Sequence, residues 1–174
     1  MSQRIPDRVD PWRLAEQGET LSGRMPLHAL PRLAVLLQDA DDEAAFTMRF
    51  GKDRDRRSTV NLTVQARLVL ECQRCLDNMT LEVDAETPMA LVSGPMEAEQ
   101  LPSELDPLML GPEEYLDIAA LVEDELLLAI PASPRHAHND CAHHGKQGSV
   151  KPADNQEDNP FAILAKLKEG GNHN

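Results

Sequence analysis

Cys72 and Cys75, in the run Leu70-Glu71-Cys72-Gln73-Arg74-Cys75-Leu76, are the residues whose types and spacing are best suited to chemistry. A C-x2-C pair on a strand–turn–strand aims both sulfurs at one point, which makes half of a tetrahedral zinc site. The other half needs two more ligands. Downstream, Cys141 and one of His136, His138, His143 or His144 can supply them. Three readings stay open on these residues. One is a structural zinc held by Cys72, Cys75, His136 and Cys141. The second is a reduced thiol pair in a turn, with a loose histidine cluster in the tail. The third is a thioredoxin-like redox pair, although no helix start follows a parallel strand here to activate the thiol. Three cysteines give no disulfide framework and fit reduced thiols in the cytoplasm.

Two other groups of residues carry charge that needs an account. Drawn as a helix, Ile118, Leu121, Val122, Leu126 and Ala129 form an apolar face with Glu125 in its middle and Glu123 and Asp124 on either side. A carboxylate in that position must find a donor or shift its pKa. Arg67 and Arg74 are the expected partners, which makes Glu125 a polar anchor between helix and sheet or a partner contact. No companion acid, base or nucleophile motif accompanies it, so an enzyme is not expected. The second group is the turn Lys52-Asp53-Arg54-Asp55-Arg56-Arg57. It is either a solvated turn or a phosphate contact, without interleaved aromatics or a glycine-rich loop.

The elements that position these groups follow from periodicity. Residues 10–22 read as a helix, with Asp10 as N-cap and Pro11 at the first helical position. Residues 26–38 read as a short helix or ordered turn, with Trp12, Leu14, Leu33, Leu36 and Leu37 inward. Phe46, Met48 and Phe50 alternate as a strand. Leu62 to Leu70 and Met79 to Ala85 alternate on either side of the thiols, which places Cys72 and Cys75 at the tip of a hairpin. Residues 88–92 extend or bend its second strand. Residues 93–106 are an acidic loop, 107–110 a short strand, and Leu116–Ile130 the main helix, ended by Pro131. The fold class is therefore α+β: a small antiparallel sheet with a C-x2-C hairpin, packed by a long helix and N-terminal helices. Residues 1–130 form one domain, 131–159 a flexible His/Pro/Asp-rich linker, and 160–174 a short docking helix and tail that includes Phe161.

The charge is uneven. Residues 1–75 carry a balance of +1 and residues 76–174 a balance of −14, with no Lys or Arg from Leu76 to Pro134. An acidic half repels nucleic-acid backbones and attracts basic partners, so DNA is not an expected partner. The same acids also serve solubility. No apolar run approaches ~18 residues, and no membrane span is expected.

Three segments together resemble the YceD family, the large ribosomal RNA subunit accumulation proteins of bacteria and plant plastids. They are Leu70 to Cys75, then Leu121-Val122-Glu123-Asp124-Glu125-Leu126-Leu127-Leu128-Ala129-Ile130-Pro131, then Asn159-Pro160-Phe161-Ala162-Ile163-Leu164-Ala165-Lys166-Leu167-Lys168. Asp10-Pro11-Trp12-Arg13 also fits, and the likeness runs from about residue 5 to residue 169. The resemblance implies a cytoplasmic, non-enzymatic role in synthesis, processing or stability of large-subunit (23S) ribosomal RNA. Some family members carry a second cysteine knuckle after the proline that ends the main helix, where this chain offers His136 and Cys141. Joined to the charge, this points to a basic ribosomal protein or large-subunit assembly factor as partner, with weak or indirect RNA contact. The residues expected at a partner or RNA surface are Arg54, Arg56, Arg57, Arg67, Arg74, Glu123, Asp124, Glu125 and Phe161. The alternatives are a direct RNA-binding module built on the arginines and a zinc-knuckle interaction protein unrelated to ribosomes. A hydrolase or nuclease lacks a convergent motif.

Overall fold

Strict alternation in the middle of the chain builds a five-stranded sheet, and helices cover one of its faces. The structure, a computed structural model, describes residues 6–137 and Cys141. In chain order the elements are β1 (Arg8–Val9), α1 (Pro11–Gln17), β2 (Thr20–Pro26), α2 (Pro31–Ala34), β3 (Glu43–Lys52), β4 (Ser58–Glu71), β5 (Asn78–Val92), α3 (Pro95–Ala98), β6 (Asp106–Met109), β7 (Leu116–Asp117) and α4 (Ile118–Ala129), with a 3-10 turn over Leu27–Ala29. The main sheet has the order β2-β3-β4-β5-β6, and β1 pairs separately with β7. Every pairing in the main sheet is antiparallel except the last, where β6 runs parallel to β5.

The inner face is set by parity. On β4, Val60, Leu62, Val64, Ala66, Leu68 and Leu70 are all buried. Their partners on β3 and β5 share that face: Met48 lies opposite Leu62, Val83 opposite Ala66, and Met79 opposite Leu70. Leu121, Val122 and Leu126 of α4, Ala15 of α1 and Leu33 of α2 join the same core. The opposite face of β4 and β5 is polar and open, with Gln65, Arg67, Thr80, Glu82, Asp84 and Glu86 exposed. An antiparallel sheet with one wet face gives this clean alternation. Among the described residues no helix is long and apolar enough to cross a membrane.

The N-terminal helix is shorter than its sequence pattern. It stops at Gln17 because Gly18 takes a left-handed conformation, φ 67°, and its N–H bonds back to the Leu14 carbonyl. That is the usual glycine C-cap, and it frees residues 20–26 to form edge strand β2. Asp10 does cap the start, its carboxylate accepting from Arg13 N at 3.0 Å. Leu36, read as inward, is 47% exposed, because α2 ends at Ala34 and the chain turns away. The N-terminus of α4 is capped by Asp117, whose side chain accepts from Ala120 N at 3.0 Å.

Two tight turns close the long hairpins, and each holds a non-glycine residue at positive φ. Arg56 has φ 63° in the turn between β3 and β4, and Leu76 has φ 64° just after the thiol pair. Such a conformation costs a side chain about 1–2 kcal/mol relative to its preferred region.

Candidate metal centre

The β4–β5 hairpin carries the thiols at its tip, as the alternation requires. Leu76 N bonds to the Cys72 carbonyl at 2.9 Å, and Cys72 N to the Asp77 carbonyl at 2.9 Å. These bonds tighten the chain around Cys72 and Cys75 and place both sulfurs on one side. The stretch after α4 then folds back over the tip. Gln73 N bonds to the Pro134 carbonyl at 2.8 Å, which brings His136 and Cys141 to the thiols.

The ligand atoms of Cys72, Cys75, His136 and Cys141 all lie within 4.8 Å of one another. Cys72 Sγ is 3.7 Å from Cys141 Sγ, and His136 Nδ1 is 3.4 Å from Cys75 Sγ and 3.6 Å from Cys141 Sγ. With zinc bond lengths of about 2.3 Å to sulfur and 2.0–2.1 Å to nitrogen, tetrahedral edges come to ~3.8 Å for S···S and ~3.5 Å for S···N. The spacing of these four donors fits zinc. The second shell fits too. His136 Nε2 lies 3.1 Å from the Asn78 carbonyl, which selects the tautomer that leaves Nδ1 free as a ligand. Three thiolates and a neutral imidazole around a divalent ion leave one negative charge. Arg74, with Nε 3.2 Å from Cys141 Sγ, stands where it offsets that charge.

The electrostatics of the empty donor set lead to the same conclusion. Burial pushes the Cys72 thiol up, but hydrogen bonds from the backbone at Cys75, His136 and Arg74 outweigh it and hold Cys72 down at about 5. Cys75 moves the other way. The backbone at Asp77 lowers it, but burial and the neighbouring Cys72 and Cys141 sulfurs push it up to about 11. His136 is raised, chiefly by Cys141 and Cys72. One thiolate forms readily and the next is opposed by the first, a conflict that a bound cation removes. When bound, zinc would supply a structural crosslink between the hairpin tip and the segment after α4. His138, His143 and His144 lie outside the described residues, as does Phe161.

The other candidates fall in different places. Glu123 is buried and accepts from Arg32 N at 2.7 Å, Arg32 Nε at 2.7 Å and Leu33 N at 3.1 Å. Both backbone donors belong to the first turn of α2, whose own cap position, Leu30, offers no side-chain oxygen. Glu123 therefore caps α2 from another helix. Burial pushes its pKa up, but the hydrogen bonds from Arg32 and Leu33 prevail and hold it below the ordinary carboxylate value. Asp124 is exposed and binds Arg32 Nη1 at 2.7 Å. Glu125 does anchor the helix to the sheet, but its partner is the Thr87 hydroxyl at 2.7 Å rather than Arg67 or Arg74. Thr87 lies opposite Leu62, on the inner face beneath α4, whereas Arg67 points to the outer face and Arg74 to the hairpin tip. Glu123 and Glu125 are thus consumed inside the fold and present no partner surface. Arg32 and Thr87 carried no sequence signal. Both are isolated polar residues that acquire their roles only across long separations.

The five arginines do not form one surface. Arg54, Arg56 and Arg57 sit at the β3–β4 turn, and Arg74 sits beyond the other end of β4, roughly 40 Å of strand away. Arg67 lies between them and faces Glu82 at 3.7 Å. Arg57 is committed to Asp53 and Asp55.

Comparison with known proteins decides the family. The pattern of the family described as "Large ribosomal RNA subunit accumulation protein YceD" matches residues 60–168, most of the chain. The chain belongs to the YceD family. A relative from Haemophilus influenzae (strain ATCC 51907 / DSM 11121 / KW20 / Rd) bears that same description. It is 29% identical over 169 residues, covering 95% of this chain and 97% of the relative. No solved structure matches. The match starts inside β4 and takes in the whole metal centre. In this YceD-family chain, then, the hairpin knuckle, α4 and the returning segment lie within the family's own region.

Proposed function

We propose that this protein is a non-enzymatic ribosome biogenesis factor that supports accumulation of large-subunit (23S) ribosomal RNA by holding a basic ribosomal protein or assembly factor. Family membership carries the ribosomal part of this reading. The choice of a basic protein partner is supported by where the acids lie. Of the 14 Asp and Glu between Leu76 and Pro134, 11 are exposed, and only Glu123 and Glu125 are buried. Glu82, Asp84 and Glu86 form a row along the open face of β5, so a flat acidic stripe faces solvent. The non-enzymatic part is supported by Glu123 and Glu125. The carboxylates with an enzyme-like environment are spent on capping α2 and on Thr87. The zinc centre would serve as a structural clamp at the hairpin tip.

Two measurements test this. Cells lacking the protein should show a selective fall in large-subunit relative to small-subunit ribosomal RNA, restored by the wild-type chain. An unchanged ratio removes the ribosomal reading. For the surface, the combined substitution Glu82→Lys, Asp84→Lys and Glu86→Lys should weaken capture of a basic ribosomal partner by about tenfold at low salt. Fold stability should hardly change, since the ion pair lost with Arg67 is exposed. Capture unaffected by the triple reversal would place the partner elsewhere.

A further inference from the structure

We infer that the cleft beside the β3–β4 turn binds an unpaired nucleotide of single-stranded RNA, with Trp12 as stacking wall and Arg56 as phosphate clamp. The choice of RNA as ligand rests on the ribosomal reading above. The cleft has a volume of about 520 Å³ and is lined by Trp12, Arg56, Arg57, Glu97, Gln100 and Leu101, among others. That size falls within the range of about 300–1,000 Å³ typical of small-ligand sites. Trp12 donates its indole N–H to the Gly111 carbonyl at 3.2 Å, which holds the half-buried ring in place at the wall. A fixed aromatic ring next to a cation is the usual way to hold a single base and its phosphate.

The two arginines are not equivalent. Arg57 is paired with Asp53 and Asp55. Arg56 is exposed and makes no ion pair among the described residues. It also occupies φ 63°, where glycine would sit without strain. A long cation at a position that favours glycine weakens the turn, and the cleft gives that side chain a use. Glu97 opposes a purely anionic ligand. One of its oxygens accepts from Ser93 N at 2.7 Å, and the carboxylate would repel an acidic peptide while accepting from the amino group of adenine, cytosine or guanine. With a net charge of −13 the chain favours a short contact that relies on stacking over a long phosphate track.

Trp12 is the only tryptophan, so its fluorescence reports this cleft alone. The full chain is titrated with a short oligoadenylate. The expected result is saturable quenching, with a log–log salt slope of about −0.7, as for one phosphate on a single strand. Arg56→Gly should weaken binding at least tenfold while the melting temperature stays level or rises, which separates lost binding from misfolding. Oligouridylate, which lacks an amino group, should bind several-fold more weakly. Inorganic phosphate and a polyglutamate peptide should leave the signal unchanged. The proposal is overturned by no quenching at low salt, by Arg56→Gly binding as well as wild type, or by polyglutamate matching RNA. The ribosomal RNA ratio in cells is scored separately, so failure of the cleft and failure of the ribosomal reading remain distinct.

Discussion

Replacing Glu123 with alanine is expected to cost the fold about 2–3 kcal/mol. The carboxylate satisfies two backbone N–H groups in the first turn of α2 and one guanidinium. Its removal leaves the Leu33 N–H, at a fully buried residue, without its acceptor, which costs about 1–3 kcal/mol for such a donor. Loss of the ion pair adds less, because the Arg32 side chain is 53% exposed and screened by solvent. Glu123→Gln separates the two effects. Both backbone donors reach the same oxygen, Oε1, and an amide oxygen can keep them while the charge is lost. The glutamine variant should therefore lose only about 1 kcal/mol. Urea melts of the three proteins check this, and equal losses in both variants would show that the charge, not the cap, matters.

The same residue sets an acid dependence. The folded pKa of Glu123 lies below its ordinary value. Its contribution is complete above the unfolded carboxylate pKa, about 4.3, and fades as pH falls through the folded pKa. Wild type should therefore lose more stability than Glu123→Gln on going from about pH 6 to about pH 3, and their stability curves should converge in acid. The raised pKa of Arg32 adds nothing in this window, since the guanidinium stays charged throughout.

The second large effect concerns the metal centre. The wild-type chain, purified gently, is expected to carry close to one zinc per molecule. Cys72→Ser should reduce that to near zero, since a hydroxyl replaces a buried thiolate at the centre of the cluster. The crosslink joins the hairpin tip to residues 134–141, so its loss should also free that segment. Proteolysis between Pro131 and Cys141 should accelerate by about tenfold or more in the variant, or in wild type with a chelator. Arg74→Ala should weaken zinc retention by about 10- to 100-fold without abolishing it, as expected of an outer-shell donor. Wild-type protein free of zinc and indifferent to chelator would remove the metal reading.

Periodicity and spacing alone determined much of this protein. The β4–β5 hairpin, its buried parity, the thiols at its tip and the capped starts of α1 and α4 follow from local rules, because alternation and caps involve residues close together in the chain. The family was legible for the same reason, in three short runs. The end of α1 was misjudged from sequence, although Gly18 carried the signal, since an apolar pattern running past a glycine looks continuous. The roles of Glu123, Arg32 and Thr87 needed the tertiary fold. Glu123 and Arg32 are separated by 91 positions, and Glu125 and Thr87 by 38, so no local rule connects them. The second half of the metal centre lies between these cases. Sequence supplied a pool of one cysteine and four histidines, and the turn of the chain after Pro131 brings Cys141 and His136 within bonding distance of Cys72 and Cys75. Chemistry at long range depends on where the backbone returns, and packing decides that.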